Sequence, residues 1–240
     1  MLDFNRFRVL TFDCYGTLID WETGILSTLR RILVAHGKKV DDPTILKLFG
    51  GFEARAEQGQ FQLYRQVLQS VVRQFGEELG FMPTDHEARS LPESLASWKP
   101  WPDTVRALRQ LKERFHLAII SNVDDDLFAA TLPQLEVEFS QIITAQQARA
   151  YKPSRRVFEV AISRIGLPAR AILHVGQSVY HDVIPAQSLG LSTVWVNRPS
   201  ARQGIGAVIS AEGNPDLELS SLAELAARVA QSHSDFQSVI

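Results

Sequence analysis

The sequence predicts an α/β protein, a Rossmann-like open parallel sheet core with an inserted α-helical cap. Three observations predict it. Short apolar runs recur, each ending in a polar cluster; amphipathic helical patterns separate them; and residues 21–98 carry helical patterns but no convincing strand. Runs that are apolar on both faces suit buried parallel strands, which are covered on both sides. Strands alternating with helices of this length form βαβ units.

The first run, Arg8 to Phe12, ends at the cluster Asp13-Cys-Tyr-Gly-Thr17. The second, His116 to Ile120, ends at Ser121-Asn122, and the third, Ala171 to Val175, at Gly176-Gln-Ser178. Leu191 to Val196 makes a fourth, and Phe139 to Thr144 a shorter fifth. Helical spacing covers Thr104 to Phe115 and Arg156 to Gly166, with Gly166 a C-terminal stop. Within the insert it covers Ile25 to His36 and Phe61 to Phe75. Pro100, Pro102 and Asp103 mark the return to the α/β pattern. The expected division is therefore a core of residues 1–20 and 99–240 with a cap of residues 21–98. Past Arg198 the chain is expected to close with a docking helix, Leu217 to Val229, and then fray. In open parallel sheets ligands bind beyond the carboxyl ends of the strands, where every one of these polar clusters stands.

Composition narrows the function classes. With 25 basic and 27 acidic residues the 240-residue chain has a formal net charge of -2, so no general field attracts nucleic acid or an anionic membrane. The basic pairs Arg30-Arg31, Lys38-Lys39 and Arg155-Arg156 read as solvated faces. A single cysteine, Cys14, excludes an internal disulfide framework and a multi-cysteine metal site. The N-terminal apolar run is too short for a signal peptide, and no stretch approaches the roughly 20 apolar residues of a spanning helix. A cytoplasmic protein, monomer or homodimer, is expected.

The chemistry concentrates at the strand tips. Asp13 leaves the first strand with Gly16 for a tight turn and Thr17 as a hydroxyl partner, the setting in which a carboxylate becomes a covalent nucleophile. A turn-capping aspartate is the plainer reading of that residue alone. Ser121 and Asn122 offer donors for a substrate carboxylate or phosphate; otherwise they begin a helix through Asp124, Asp125 and Asp126. Lys152 precedes Pro153, which keeps a helix from starting there, and can balance the Asp13 charge. Asp182 ends Gly176-Gln-Ser-Val-Tyr-His-Asp182, where Tyr180 and His181 are substrate contacts or ordinary packing. His174 reads as a core histidine.

As a set, Asp-x-x-x-Thr at 13–17, Ser121-Asn122, Lys152-Pro153 and the late acidic motif at Asp182 resemble the haloacid dehalogenase superfamily, in its order and over nearly the whole chain. The resemblance implies Asp13, Thr17, Lys152 and Asp182 as catalytic residues. It also implies Cys14, Tyr15, Ser121, Asn122 and His181 as substrate contacts, with no metal. Phosphatases of that superfamily place a second Asp where this chain has Tyr15, and an extra acid where it has Gln177. The wording is similar to the L-2-haloacid dehalogenase branch, and Ser178-x-Tyr-His-Asp182 to a side branch that includes an azetidine-2-carboxylate hydrolase. The branch's cap arginine has Arg55 and Arg65 as candidates, and Phe52 and Tyr64 read as packing before pocket.

Electrostatics favours the same branch. A phosphate dianion about 4 Å from Asp13 is repelled by about 8 kcal/mol at an effective dielectric near 20, and Lys152 offsets about half of that. A monocarboxylate meets half the repulsion, and a halide or an already protonated ring amine leaves without a proton donor. The sequence thus predicts displacement at the α-carbon of a small carboxylate through an aspartyl ester, with no cofactor. The alternatives are a Mg²⁺-dependent small-molecule phosphatase and a non-catalytic binding protein on the same fold.

Overall fold

The computed structural model describes residues 2–198 and 206–237. Its sheet has six strands, all parallel, in the order β3-β2-β1-β4-β5-β6. The strands are β1 (Val9–Phe12), β2 (His116–Ser121), β3 (Gln141–Thr144), β4 (Ile172–Gly176), β5 (Ser192–Val196) and β6 (Leu217–Leu219). All four residues of β1 are buried, because β1 lies between β2 and β4 and both its faces are covered. Val9 packs with Ile120 and Ile172 on one face, and Leu10 and Phe12 pack with Leu117 and Ile119 on the other. That alternation is the strand period of two. Helices α5 (Thr104–Lys112) and α10 (Leu222–Gln237) pack together on one side, while α8 (Arg155–Ile165) meets β2 and β3 on the other. Chain order reverses about β1, so the crevice of this sheet opens at its tip.

Between β1 and β2 stand α1 (Trp21–Ala35), α2 (Asp42–Ala56), α3 (Tyr64–Leu79) and α4 (Asp85–Ser94), with no strand of the sheet among them. Their boundaries follow from local chemistry. Asp41 accepts the Thr44 N–H at 2.8 Å with Pro43 in the first turn, and Thr84 and Glu87 form a reciprocal capping box. Gly80 closes α3 in the left-handed region at φ 69°. The apolar stripe of α3 (Val67, Leu68, Val71, Val72, Phe75) is buried against α2 and α4. The chain enters and leaves this insert along one seam, with Asp20 N–H donating to Lys99 O at 2.8 Å and Trp101 N–H to Leu18 O at 3.0 Å.

The C-terminal expectation needs correction. Leu217–Leu219 is not helical but pairs with β5, and the helix starts at Leu222. The cause is Asp103, whose carboxylate accepts the Leu222 and Ala223 N–H groups at 2.8 and 3.1 Å and fixes the helix start there. The fraying expected after Val229 does not begin there, since the helix runs on to Gln237; residues 238–240 lie outside the described residues. Asp124 likewise does more than begin the helix α6 (Asp125–Thr131). Buried at the end of β2, its carboxylate accepts the Tyr64 and Arg65 N–H groups at 2.7 and 3.0 Å and so caps α3 of the insert.

Replacing Asp124 with Ala removes that cap and is expected to lower the unfolding free energy by about 1–2 kcal/mol in urea titrations.

Candidate active site

Three strand tips and a loop converge on one point. Asp13 leaves β1, its N–H bonded to Val175 O at 3.0 Å, and Gly16 turns the chain at φ 99°. A side chain at Gly16 would collide with Gln177. Thr17 Oγ1 donates to Asp13 Oδ2 at 2.7 Å and accepts the Gln177 N–H at 2.8 Å, which fixes the direction of its hydroxyl hydrogen. Lys152, 2% exposed, places its ammonium at 2.8 Å from Asp13 Oδ1, 2.6 Å from Asp182 Oδ1 and 3.1 Å from Ile120 O. Its three hydrogens thus have three acceptors, the full donor capacity of the group.

Asp182 reaches Lys152 because residues Val179–Val183 form a turn of π-helix. Ser178 opens it, accepting the His181 N–H at 3.0 Å on its hydroxyl and donating its own N–H to Asp182 Oδ2 at 3.1 Å. Gly176 permits the approach, since a Cβ there would meet the Asp182 carboxyl carbon at 2.5 Å. His174 is the satisfied core histidine expected, 2.9 Å from Thr11 Oγ1 and 3.3 Å from Asp182 Oδ1.

Burial and charge set the protonation states. Burial alone would strip Lys152 of its proton, but Asp13 and Asp182 more than offset it and hold the ammonium charged. Burial pushes Asp182 up too, yet Lys152 and His174 outweigh it and keep this carboxylate ionised well below the usual range. Asp13 is the less favoured partner of the shared ammonium; burial raises it above the ordinary carboxylate range despite Lys152. Burial lowers His181 to about 4, so its ring is neutral near pH 7. Burial also lifts the Tyr15 phenol well above its ordinary value, and its hydroxyl sits 2.9 Å from Thr131 Oγ1.

These groups wall a cavity of about 500 Å³. Asp13, Tyr15, Ser121, Asn122, Lys152, His181 and Asp182 all line it, so most of the expected residues share one space. Ser121 Oγ is fully buried with no hydrogen-bond partner among the described residues. Thr17 stands behind Asp13 rather than on the wall.

Two expectations change. Cys14 does not line the cavity; it is fully buried in the apolar core, because the extended chain sends Asp13 and Tyr15 to one side and Cys14 to the other. Asn122 lines the cavity, but its side-chain amide is bonded both ways to the Lys152 main chain, at 2.7 and 3.1 Å. It holds the lysine in place.

Sequence reasoning also missed part of the wall. Trp21, Glu53 and Glu57 of the insert line the cavity, and Tyr64 does so while donating its hydroxyl to Glu53 at 2.5 Å. Residues 207–209 close one side, where Ala207 N–H donates to Glu22 at 3.0 Å. The two arginines proposed from the cap are elsewhere: Arg55 lies over the Phe52 ring and Arg65 pairs with Asp124 and Asp126. The arginine on the wall is Arg149, exposed and stacked over Phe61 at 4.8 Å.

Residues 7–190 match the haloacid dehalogenase-like hydrolase family. The chain belongs to that family of enzymes. It is 26% identical over 217 residues to a (S)-2-haloacid dehalogenase of Pseudomonas fluorescens, covering 89% of this chain and 92% of that one. Among solved structures, an L-2-haloacid dehalogenase superposes with a TM-score of 0.79 at 22% identity over 94% of this chain and 99% of that one. The L-2-haloacid dehalogenase of Xanthobacter autotrophicus with chloropropionic acid covalently bound gives 0.76 at 19% identity, over 93% and 98%. At such identities the structures establish the fold. Among the described residues no helix is long and apolar enough to cross a membrane.

Two substitutions test the architecture of the site. Lys152→Met leaves two buried carboxylates facing each other and should cost about 3–5 kcal/mol of unfolding free energy, measured by denaturant titration. Gly176→Ala pushes Asp182 aside and should reduce kcat about 10²-fold while the circular dichroism spectrum stays that of the wild type.

Proposed function

We propose that this hydrolase uses the Asp13 carboxylate to displace a halide or a ring amine from the α-carbon of a small 2-substituted carboxylic acid. An aspartyl ester forms and is hydrolysed to a 2-hydroxy acid. The observation that carries the reading is the Asp13 carboxylate on the cavity wall, one oxygen held by Thr17 and the other by Lys152. Each oxygen keeps a lone pair free, and the carboxylate is aimed before the substrate arrives.

In the first step an Asp13 oxygen attacks the α-carbon and the leaving group departs with the bonding pair. Ser121 Oγ and Trp21 Nε1, both buried without partners among the described residues, suit the substrate carboxylate. In the second step water attacks the Asp13 carboxyl carbon and releases the alcohol. Asp182, fixed by Ser178 N–H, Lys152 and His174, orients that water, and the Lys152 charge stabilises the oxyanion that develops on Asp13. Tyr15 takes no part as an acid, its hydroxyl being turned to Thr131. Lys152 offsets one of the two carboxylate charges, and neither step calls for a Lewis acid, so the reading requires no cofactor. The insert, residues 21–98, serves as the cap over a core of residues 1–20 and 99–240, which accords with Glu53 and Tyr64 lining the same cavity as Lys152.

Under single-turnover conditions in ¹⁸O water, Asp13 takes the label and the first product is unlabelled; label in the first product overturns the ester. Asp13→Asn should abolish turnover. A protonated Asp13 cannot attack, so activity is lost as pH falls through its pKa. Because burial raises that value, the acid limb of kcat/KM should lie above the ordinary aspartate range near 4.

A further inference from the structure

We propose that Arg198 is a positioning residue for the Asp13 carboxylate, acting from behind the cavity through the main chain and hydroxyl of Thr17. It deepens the Asp13 ester reading, and it rests on that reading only where turnover is measured.

The loop of residues 13–19, between β1 and α1, carries the hydroxyl that aims Asp13, and its carbonyls are held one after another. Cys14 O accepts the Leu18 and Ile19 N–H groups at 2.7 and 3.0 Å, bonds the loop makes with itself. Gly16 O accepts the Trp101 indole N–H at 3.0 Å. Leu18 O accepts the Trp101 main-chain N–H at 3.0 Å and the Thr104 hydroxyl at 2.8 Å. Between them, Thr17 O accepts two hydrogens of one guanidinium, from Arg198 Nε at 3.1 Å and Nη2 at 2.9 Å. Among the described residues no other group donates to it.

Arg198 is itself held from two sides. Its Nη1 donates to Asp103 Oδ1 at 3.0 Å, and the guanidinium lies 4.9 Å from the centre of the Trp101 ring, with the side chain 8% exposed. The other Asp103 oxygen is taken by the Leu222 and Ala223 N–H groups that start α10. A planar fork fixed to a carboxylate at one end delivers its remaining hydrogens in one direction, which a flexible ammonium does not. Arg198 does not line the cavity, so its effect on chemistry runs through Thr17.

The coupling is geometric. Thr17 is fully buried, and its hydroxyl accepts the Gln177 N–H and donates to Asp13 Oδ2 at 2.7 Å. Without Arg198 the Thr17 carbonyl must find water, and a water does not fix the peptide plane as a clamped guanidinium does. Rotation of that plane carries the Thr17 side chain with it and draws the hydroxyl off Asp13. A hydrogen bond to the charged form favours it, so its loss raises the pH at which Asp13 ionises.

The test sets Arg198→Ala against Arg114→Ala. Arg114 is the control because it too anchors α10, donating to Val229 O at 3.1 Å and to Ser232 Oγ at 3.3 Å, with no bond to the loop. The first readout needs no turnover: the titration of the Asp13 carboxyl carbon by ¹³C NMR, assigned by its absence in Asp13→Asn. Its midpoint should move to higher pH in Arg198→Ala and stay at the wild-type value in Arg114→Ala. A midpoint equal in the two variants overturns the proposal. With 2-chloropropionate, kcat should fall about 10²-fold in Arg198→Ala while KM stays within about twofold, and Arg114→Ala should keep both. A loss of kcat no greater than in Arg114→Ala overturns it as well. If Arg198→Ala does not fold, as judged by circular dichroism, Arg198→Lys decides: the charge remains but the fork is gone, so the midpoint should still rise, and a wild-type midpoint overturns the proposal. Single-turnover labelling in ¹⁸O water keeps the two readings apart. Label never found in wild-type Asp13 removes the ester, and the titration then decides the role of Arg198 by itself.

Discussion

One ammonium group organises the candidate site. Lys152 Nζ lies between the carboxylates of Asp13 and Asp182, with the Ile120 carbonyl as its third acceptor. Two buried carboxylates at this separation repel each other strongly, and neither stays ionised in an apolar interior without such a partner. The lysine is itself tied down through its main chain by Asn122. The ion triad therefore joins the tips of β1, β2 and β4 and the loop before α8 into one rigid object. Its asymmetry matters as much as its existence. Asp182 has two further supports, the Ser178 N–H and His174, and keeps its charge firmly, whereas burial raises Asp13 above the ordinary carboxylate range.

The core and part of the triad were legible from local rules. Buried parallel strands are apolar on both faces, and a polar residue at the end of such a run faces the crevice, so Asp13 and Ser121 stood out, whereas Lys152 and Asp182 were marked only by their place in the superfamily's motif set. Cys14 shows where adjacency misleads: it is next to Asp13 in sequence, and the alternation of extended backbone turns it into the core. Asn122 shows the same for function, since only three dimensions reveal that Lys152 occupies its amide.

The insert was far less legible. Glu53 and Glu57 sit in Phe52-Glu-Ala-Arg-Ala-Glu57, where the sequence singled out Arg55, with Arg65 further on, as the pocket candidate rather than the acids. Packing reverses that reading. Arg55 lies on Phe52 and Arg65 is drawn to Asp124 and Asp126, while the glutamates turn inward to the cavity. Helix periodicity states which residues share a face, never what that face meets. The C-terminal strand was hidden for a related reason: three residues of alternation carry little signal, and the side chain that starts α10 is Asp103, more than a hundred positions earlier.

The short stretch from Ser121 to Asp124 has a further consequence. Its first residue presents an unpartnered hydroxyl to the cavity, its second clasps Lys152, and its fourth holds the amino end of α3. The floor of the chamber and the helix that roofs it are thereby anchored within a span of four residues. Any rocking of the roof that breaks the Asp124 clasp strains the same loop that steadies the ion triad. Displacement of α3 and loosening of the ion triad are therefore mechanically linked.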